Sequence, residues 1–265
     1  MESVVNFECK NFYTVSDLQK LIAFLRCEHG CPWDREQTHQ SIRRNLLEEA
    51  YEACEAIDTD NTALLLEELG DVLTQVIFHA QIKEEQGQFT LDDVANATCQ
   101  KLVFRHPHLF GDATAKDSDE VMLHWDELKR REKNYSTVAQ TMQGVARSLP
   151  ATWRAEKIQT KAAKVGFDWA DAAGALDKLE EEIAESRAAL QSGNADAIAD
   201  EIGDLLFSAV NAARLARIDP ETALHAAADK FTARFSKLEQ TAIQAGNTMA
   251  DMPLAELESL WQAGK

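Results

Sequence analysis

No stretch of this chain alternates apolar and polar residues long enough to make a useful strand, so an all-α fold is expected. No apolar run is long enough to cross a bilayer. The opening residues, MESVVNFECKNF, lack both the basic start and the apolar core of a secretion signal. Cysteines number five, an odd count with none after Cys99, which is not a disulfide framework. A reduced, cytoplasmic protein is the expectation. The phosphate-cradling pattern GxxxxGK(S/T) is missing too, which argues against the common P-loop NTPase machinery. Positive charge is scarce: 27 Lys and Arg face 45 Asp and Glu, for a formal charge of −18. Such a field repels nucleic acids and anionic membranes, so neither is an expected partner. An anionic substrate would need a metal ion or a local basic patch.

What the chain does have is acid in a pattern. Between Leu47 and Phe78 stand two short words, Glu49-x-x-Glu52 and Glu68-x-x-Asp71, each inside an apolar pattern of helical period. Residues three apart share a helix face, so each word sets two carboxylates side by side. The polar break at Asp58 to Asn61 is short enough to fold the two helices antiparallel and gather all four acids. Crowded carboxylates raise one another's pKa unless a cation neutralises them. Oxygen-only ligands suit a hard divalent ion, Mg2+ or Mn2+. The competing account is an amphipathic helix whose apolar stripe is Leu47, Ala50, Cys54 and Ile57, with the acids on a solvated flank.

A repeat weighs toward the cation account, with recent duplication and little drift as the remaining alternative. One gapless shift of 133 positions carries Glu49, Glu52, Glu68 and Asp71 onto Glu182, Glu185, Glu201 and Asp204. Packing residues between them change, Tyr51 to Ala184, Cys54 to Arg187 and Leu66 to Ala199, while the acids and the glycines Gly70 and Gly203 recur. Exposed charges contribute little to stability, so a merely solvated face has no reason to keep that register. Glycine inside a helix costs ~1 kcal/mol relative to alanine, so its recurrence suggests close approach of backbone or ligand. Lys101 and Arg105 correspond to Lys230 and Arg234 with a shift of 129. Each pair lies on one helix face and is a candidate phosphate contact, with salt bridging to neighbouring acids as the alternative. Trp33, Trp169 and Trp261 are candidates for stacking on a base or for closing the core. Cys27, His29 and Cys31 lack the fourth ligand and the paired spacing of a zinc site.

The remaining punctuation places the helices. Ser16 with Gln19 reads as a capping box opening a helix that carries Leu18, Leu21, Ile22 and Leu25. Thr90 with Asp93 opens another, stopped near Pro107, and residues 120–132 form a further one with Val121, Leu123, Trp125 and Leu128. Residues 134–144 are polar and weakly patterned and read as part of a linker. Helices follow over 150–164, 176–190 and 195–216, and Asp219-Pro220 opens the last strong one. The expected organisation is an extension over 1–15, a helical domain over 16–133, a linker over 134–148 and a second helical domain over 149–265.

These residues resemble a known family. EEAYE with EELGD, EEIAE with EIGD, CPWD upstream and RHPHLF downstream are similar to the MazG nucleoside triphosphate pyrophosphohydrolases of the two-domain type. The resemblance covers nearly all of the chain after its first fifteen residues. It implies two tandem homologous domains of the all-α NTP pyrophosphohydrolase type, with Mg2+ on the eight acids named above. It also implies cleavage of nucleoside triphosphates to monophosphate and pyrophosphate, a homodimer, and a C-terminal copy that is often the more active. In that case Glu182, Glu185, Glu201 and Asp204 are the catalytic set, and Lys230, Arg234, Trp261, Lys101 and Arg105 serve the substrate. The rival is a helical scaffold or a nucleotide sensor whose cation sites are structural.

Overall fold

The computed structural model describes residues 7–114 and 117–264. The first six residues of the expected extension lie outside this range, and the side chain of Leu123 lies outside the described side chains. Every regular element among the described residues is helical. In chain order the α-helices are α1 (Val15–Arg26), α2 (Pro32–Glu36), α3 (Arg43–Asp58), α4 (Thr62–Glu85), α5 (Leu91–Arg105), α6 (Pro107–Phe110), α7 (Ser118–Glu132), α8 (Val138–Gln143), α9 (Ala151–Ala163), α10 (Ala172–Ser192), α11 (Ala195–Leu215), α12 (Pro220–Gln244) and α13 (Leu254–Ala263), with a 3-10 turn, Met249–Asp251, before the last. The chain divides into two compact units, Met1–Asp126 and Glu127–Lys265, each with one closely packed helix pair, α3 with α4 and α10 with α11.

The helix starts follow their caps. α1 begins one residue earlier than Ser16, because Thr14 is the cap and Asp17 its partner. Thr14 accepts from the Asp17 amide at 3.3 Å, and the Asp17 carboxylate accepts from the Thr14 amide at 3.0 Å. Lys10 adds an ion pair at 2.6 Å to the same carboxylate, a charge that Gln19 could not recruit. The Lys10 hydrogen bond, ahead of those from Thr14, holds Asp17 well below the usual carboxylate range. The Thr90–Asp93 box opens α5, and Pro107 sits at the start of α6 as α5 ends. The segment expected as a linker, 134–148, carries a short helix. Thr137 and Gln140 form a capping box at α8, and Thr141 and Val145 are buried behind it, in a helix too short for periodicity to reveal.

The two acidic helix pairs are built alike. Asn61 caps α4 by accepting from the Leu64 amide at 3.2 Å. Asn194, 133 positions on, caps α11 by accepting from the amides of Asp196 and Ala197 at 3.0 and 3.4 Å. Just before each cap the chain turns through the left-handed region, at Asp60 with φ 51° and at Gly193 with φ 68°. The buried line of α3 runs through Ile42, Ala53 and Ala56, and that of α10 through Ala175, Ser186 and Ala189, in the same register.

This line overturns the stripe expected from the sequence. Leu47, Ala50, Cys54 and Ile57 all face outward, and Ile57 remains 60% exposed. The helix pair closes instead through small residues, Ala53 and Ala56, which let the two backbones approach with the acids between them. In the first unit the core beyond the acids is Ile22, Ile42, Ile77, Phe78 and Ile82, with Leu18, Leu25, Leu73 and Leu91 against it. A second correction concerns Gly70 and Gly203. A Cβ on either would meet nothing within 4 Å, so close packing of this chain's own backbone is not why they are glycine. Alanine at either position should therefore raise unfolding stability by up to ~1 kcal/mol, measured by urea denaturation. A destabilised variant would show that the space around the glycine is filled in solution.

Candidate metal and nucleotide site

Each helix pair brings its acids together from opposite sides. α3 supplies Glu49 and Glu52, and α4 supplies Glu68 and Asp71. In the first unit, carboxylate oxygens of Glu49, Glu68 and Asp71 all lie within 4.8 Å of one another. In the second, Glu182 and Glu185 from α10 and Glu201 from α11 do the same. Glu52 and Asp204 complete the quartets electrostatically. Burial raises the Glu49 carboxyl first, followed by the charges of Asp71 and Glu52. Burial likewise leads for Glu68, which is 7% exposed, followed by the charges of Glu52 and Asp71. For Glu201 the order is burial, Glu185, Glu182 and Asp204. The two most enclosed acids, Glu68 and Glu182, are far more buried than a solvated flank allows.

The donor set fits a hard divalent cation. Its ligands are all oxygens, its charges repel, and burial disfavours each of them without a counter-ion. Among the described residues no other His, Cys, Asp or Glu group gathers in this way, and Cys27, His29 and Cys31 do not.

The two copies differ in what surrounds the acids. In the second, Lys178 stands four residues before Glu182 and bonds Glu181 and Glu182, both at 2.8 Å, with Glu185 at 3.9 Å. Those hydrogen bonds raise the Lys178 pKa, so the ammonium is firmly charged. The first copy has Asn45 at the corresponding position. Beside Glu182 and Asp204 opens a cavity of about 700 Å³, walled by α9, α10, α11 and the turn carrying Phe167 and Trp169. Within it Arg214 is paired with Asp168 and also bonds Asn211 Oδ1, from Nε at 3.1 Å and Nη2 at 2.7 Å.

The other expected substrate residues are placed differently. Lys230 and Arg234 lie on α12 and do not line the cavity, and Trp261 on α13 packs against Phe231 at 5.2 Å between ring centroids. Lys101 is exposed on α5. Arg105 is buried, its guanidinium 5.3 Å from the Trp125 ring centroid. Of the three tryptophans, Trp169 is the one at the cavity. Sequence reasoning missed Lys178, Gln159, Asn211 and Arg214. The i, i+4 spacing of Lys178 to Glu182 was a readable signal, as was a polar Asn211 where the repeat has Phe78.

Comparison with known proteins bears on this geometry. The MazG nucleotide pyrophosphohydrolase domain model matches residues 37–110 and again 172–238, which contain both acid quartets. The chain belongs to the MazG family. It is 41% identical to the nucleoside triphosphate pyrophosphohydrolase/pyrophosphatase MazG of Thermotoga maritima, covering 94% of each chain. It is 40% identical to the nucleoside triphosphate pyrophosphohydrolase of Escherichia coli, over 90% of this chain and 91% of that one. The Bacillus subtilis protein YabN, described as uncharacterized, is 44% identical over 96% of this chain and 52% of its own length.

A MazG site of clustered acids makes a distinct thermal prediction. A carboxyl whose folded pKa is raised favours folding below its unfolded pKa, and that contribution is lost as pH rises through the folded value. The metal-free chain is therefore destabilised by Glu49, Glu68 and Glu201 near neutral pH, and a bound cation would offset this. Millimolar Mg2+ or Mn2+ should raise Tm at pH 7.5, and the shift should shrink below about pH 5 as the ligands take up protons. Differential scanning fluorimetry reads both. A Tm indifferent to either ion at pH 7.5 would exclude a cation site.

Proposed function

We propose that the chain hydrolyses nucleoside triphosphates between the α and β phosphates, releasing a nucleoside monophosphate and pyrophosphate, and that it depends on Mg2+ or Mn2+. One observation carries this reading: a buried carboxylate cluster, repeated in register, opens in the second copy onto a cavity within the ~300–1,000 Å³ range of small-molecule sites. The names of the Thermotoga and Escherichia relatives support the same reaction.

Glu182, Glu185, Glu201 and Asp204 would hold the ion, and Glu49, Glu52, Glu68 and Asp71 would hold its counterpart in the first copy. A divalent ion held there would supply Lewis-acid polarisation of phosphoryl oxygens and of water. One carboxylate of the quartet would accept the proton of the attacking water. Lys178, already at the mouth of the acids, is placed to meet phosphate oxygens in exchange for Glu181 and Glu182. Lys230 and Arg234 are the proposed additional phosphate contacts on α12, with Trp261 beside them as a stacking surface for substrate. Lys101 and Arg105 are their first-copy counterparts.

A homodimer in the cytoplasm completes the proposal. Apolar side chains stand outward on both acidic pairs, among them Tyr51, Ile57 and Leu66 in the first and Leu190 and Leu206 in the second. Such surface is costly to leave in water, and a second copy of the chain would cover it. The five free cysteines accord with a reducing compartment.

Product analysis tests the reaction. With each triphosphate and Mg2+, monophosphate and pyrophosphate should accumulate in equal amounts, whereas orthophosphate release or no turnover would rule it out. Glu201→Gln should lower kcat by about 10²-fold or more and Glu68→Gln much less, placing activity in the second copy. Equal losses would contradict that assignment.

A further inference from the structure

The cavity of the second copy contains a buried polar atom with no partner. Gln159 on α9 is 6% exposed and lines the cavity. Its Nε2 donates to the Phe207 carbonyl of α11 at 2.8 Å, yet its Oε1 meets no donor among the described residues. The amide cannot be turned to cure this, because Oε1 would then face the Phe207 carbonyl oxygen. Gln159 is therefore committed as an acceptor in the cavity wall, and buried acceptors without partners are rare enough to require an explanation.

One helical turn beyond Phe207, Asn211 is committed in the opposite sense. Its Oδ1 is taken by two hydrogen bonds from Arg214, which leaves Nδ2 as the group it can offer. Asp204 and Asn211 are seven residues apart on one helix face, ~10 Å along the axis. That is about the reach from the α-phosphate of a nucleotide to the far edge of its base. Phe167 and Trp169, in the same wall, supply apolar surface for a ring.

The first copy has closed the same place. The shift of 133 carries Phe78 onto Asn211, and aligning α1 with α9 by their ends sets Ile22 or its neighbour against Gln159. Phe78 and Ile22 are buried together in the apolar core of that unit. Neither side chain carries a polar group to offer a ligand there.

We propose that Gln159 is a base-recognition residue that accepts a hydrogen bond from an N–H on the nucleobase edge, with Asn211 Nδ2 donating to the adjacent ring or carbonyl acceptor. This rests on the reading of the cavity as a nucleotide site. Every natural base carries such a neighbouring donor and acceptor, so the pair recognises a base rather than a bare phosphate chain. A site built to bond an N–H discriminates against analogues without it, because the buried acceptor is then left unpaired.

Binding to the full chain, measured by isothermal titration calorimetry with Mg2+ and nucleoside 5′-monophosphates, tests the assignment independently of turnover. The tightest-binding base is compared with its analogue lacking the N–H, such as adenosine with purine riboside or cytidine with its 4-deamino analogue. Wild type should prefer the complete base by about 10-fold or more. Gln159→Met, of similar volume, should bring the ratio close to one, and Gln159→Ala serves as the second variant if Met is not accommodated. A wild-type ratio near one, a preference that survives both variants, or no binding of any base would overturn the proposal. Discrimination in binding without triphosphate turnover would instead sink the pyrophosphohydrolase reading and leave this one standing.

Discussion

Each helix pair is shaped by the enclosure of carboxylates that repel one another. Glu68 and Glu182 are as buried as core residues, although four acids converge on each place. Folding against that repulsion requires compensation, and the metal-free chain supplies it unevenly. The second copy places Lys178 among its acids, whereas the first has only Asn45 there. Small residues at Ala53, Ala56, Ser186 and Ala189 bring the paired helices close enough for the acids to meet. The same geometry turns the larger apolar side chains outward, so the acid cluster and the apolar exterior are two consequences of one helix rotation.

The two copies retain this frame and differ in what lies behind it. Caps, left-handed turns, acids and buried small residues recur at the shift of 133. Behind the acids the first copy packs Phe78 into a core with Ile22, Ile42, Ile77 and Ile82, which favours stability through apolar burial. The second copy keeps polar Asn211 and Gln159 facing a cavity and forgoes that packing. An unfilled cavity carries a stability cost that a well-packed repeat shows to be avoidable in this scaffold. That contrast favours the second copy as the one adapted to a ligand, an asymmetry that counting metal ligands cannot provide because both quartets are intact.

Much of this was legible in the sequence for identifiable reasons. Helix starts at Thr90 and Asp219 and the breaks at Asp58–Asn61 and Ser192–Asn194 were readable because capping and turn chemistry are local. Ser16 misled because two overlapping hydroxyl caps compete, and only the Lys10–Asp17 pair distinguishes them. The acids were readable because the repeat held them fixed while neighbours changed. The buried face was not, since period alone selects the most apolar stripe, and here close packing of small residues outweighs it. The cavity was hidden for a similar reason: its wall combines α9, a turn and α11, which no single helical pattern connects.

The acidity of the chain also takes on a more local meaning. A net charge of −18 should repel a triphosphate at long range, yet screening reduces that field beyond ~8–10 Å at physiological salt. Inside the cavity the decisive charges are close: Lys178 lies against the quartet, and Arg214 is held by Asp168 and Asn211 near the other polar groups. Arg214 is turned toward protein partners and orients Asn211, while Lys178 is held by carboxylates that a divalent ion would engage instead. On the proposed reading, neutralisation of the acids would free the lysine for phosphate, because the same ion pairs hold both. A substrate bringing its own cation would meet the site with the charge it needs, although the protein as a whole bears the opposite sign.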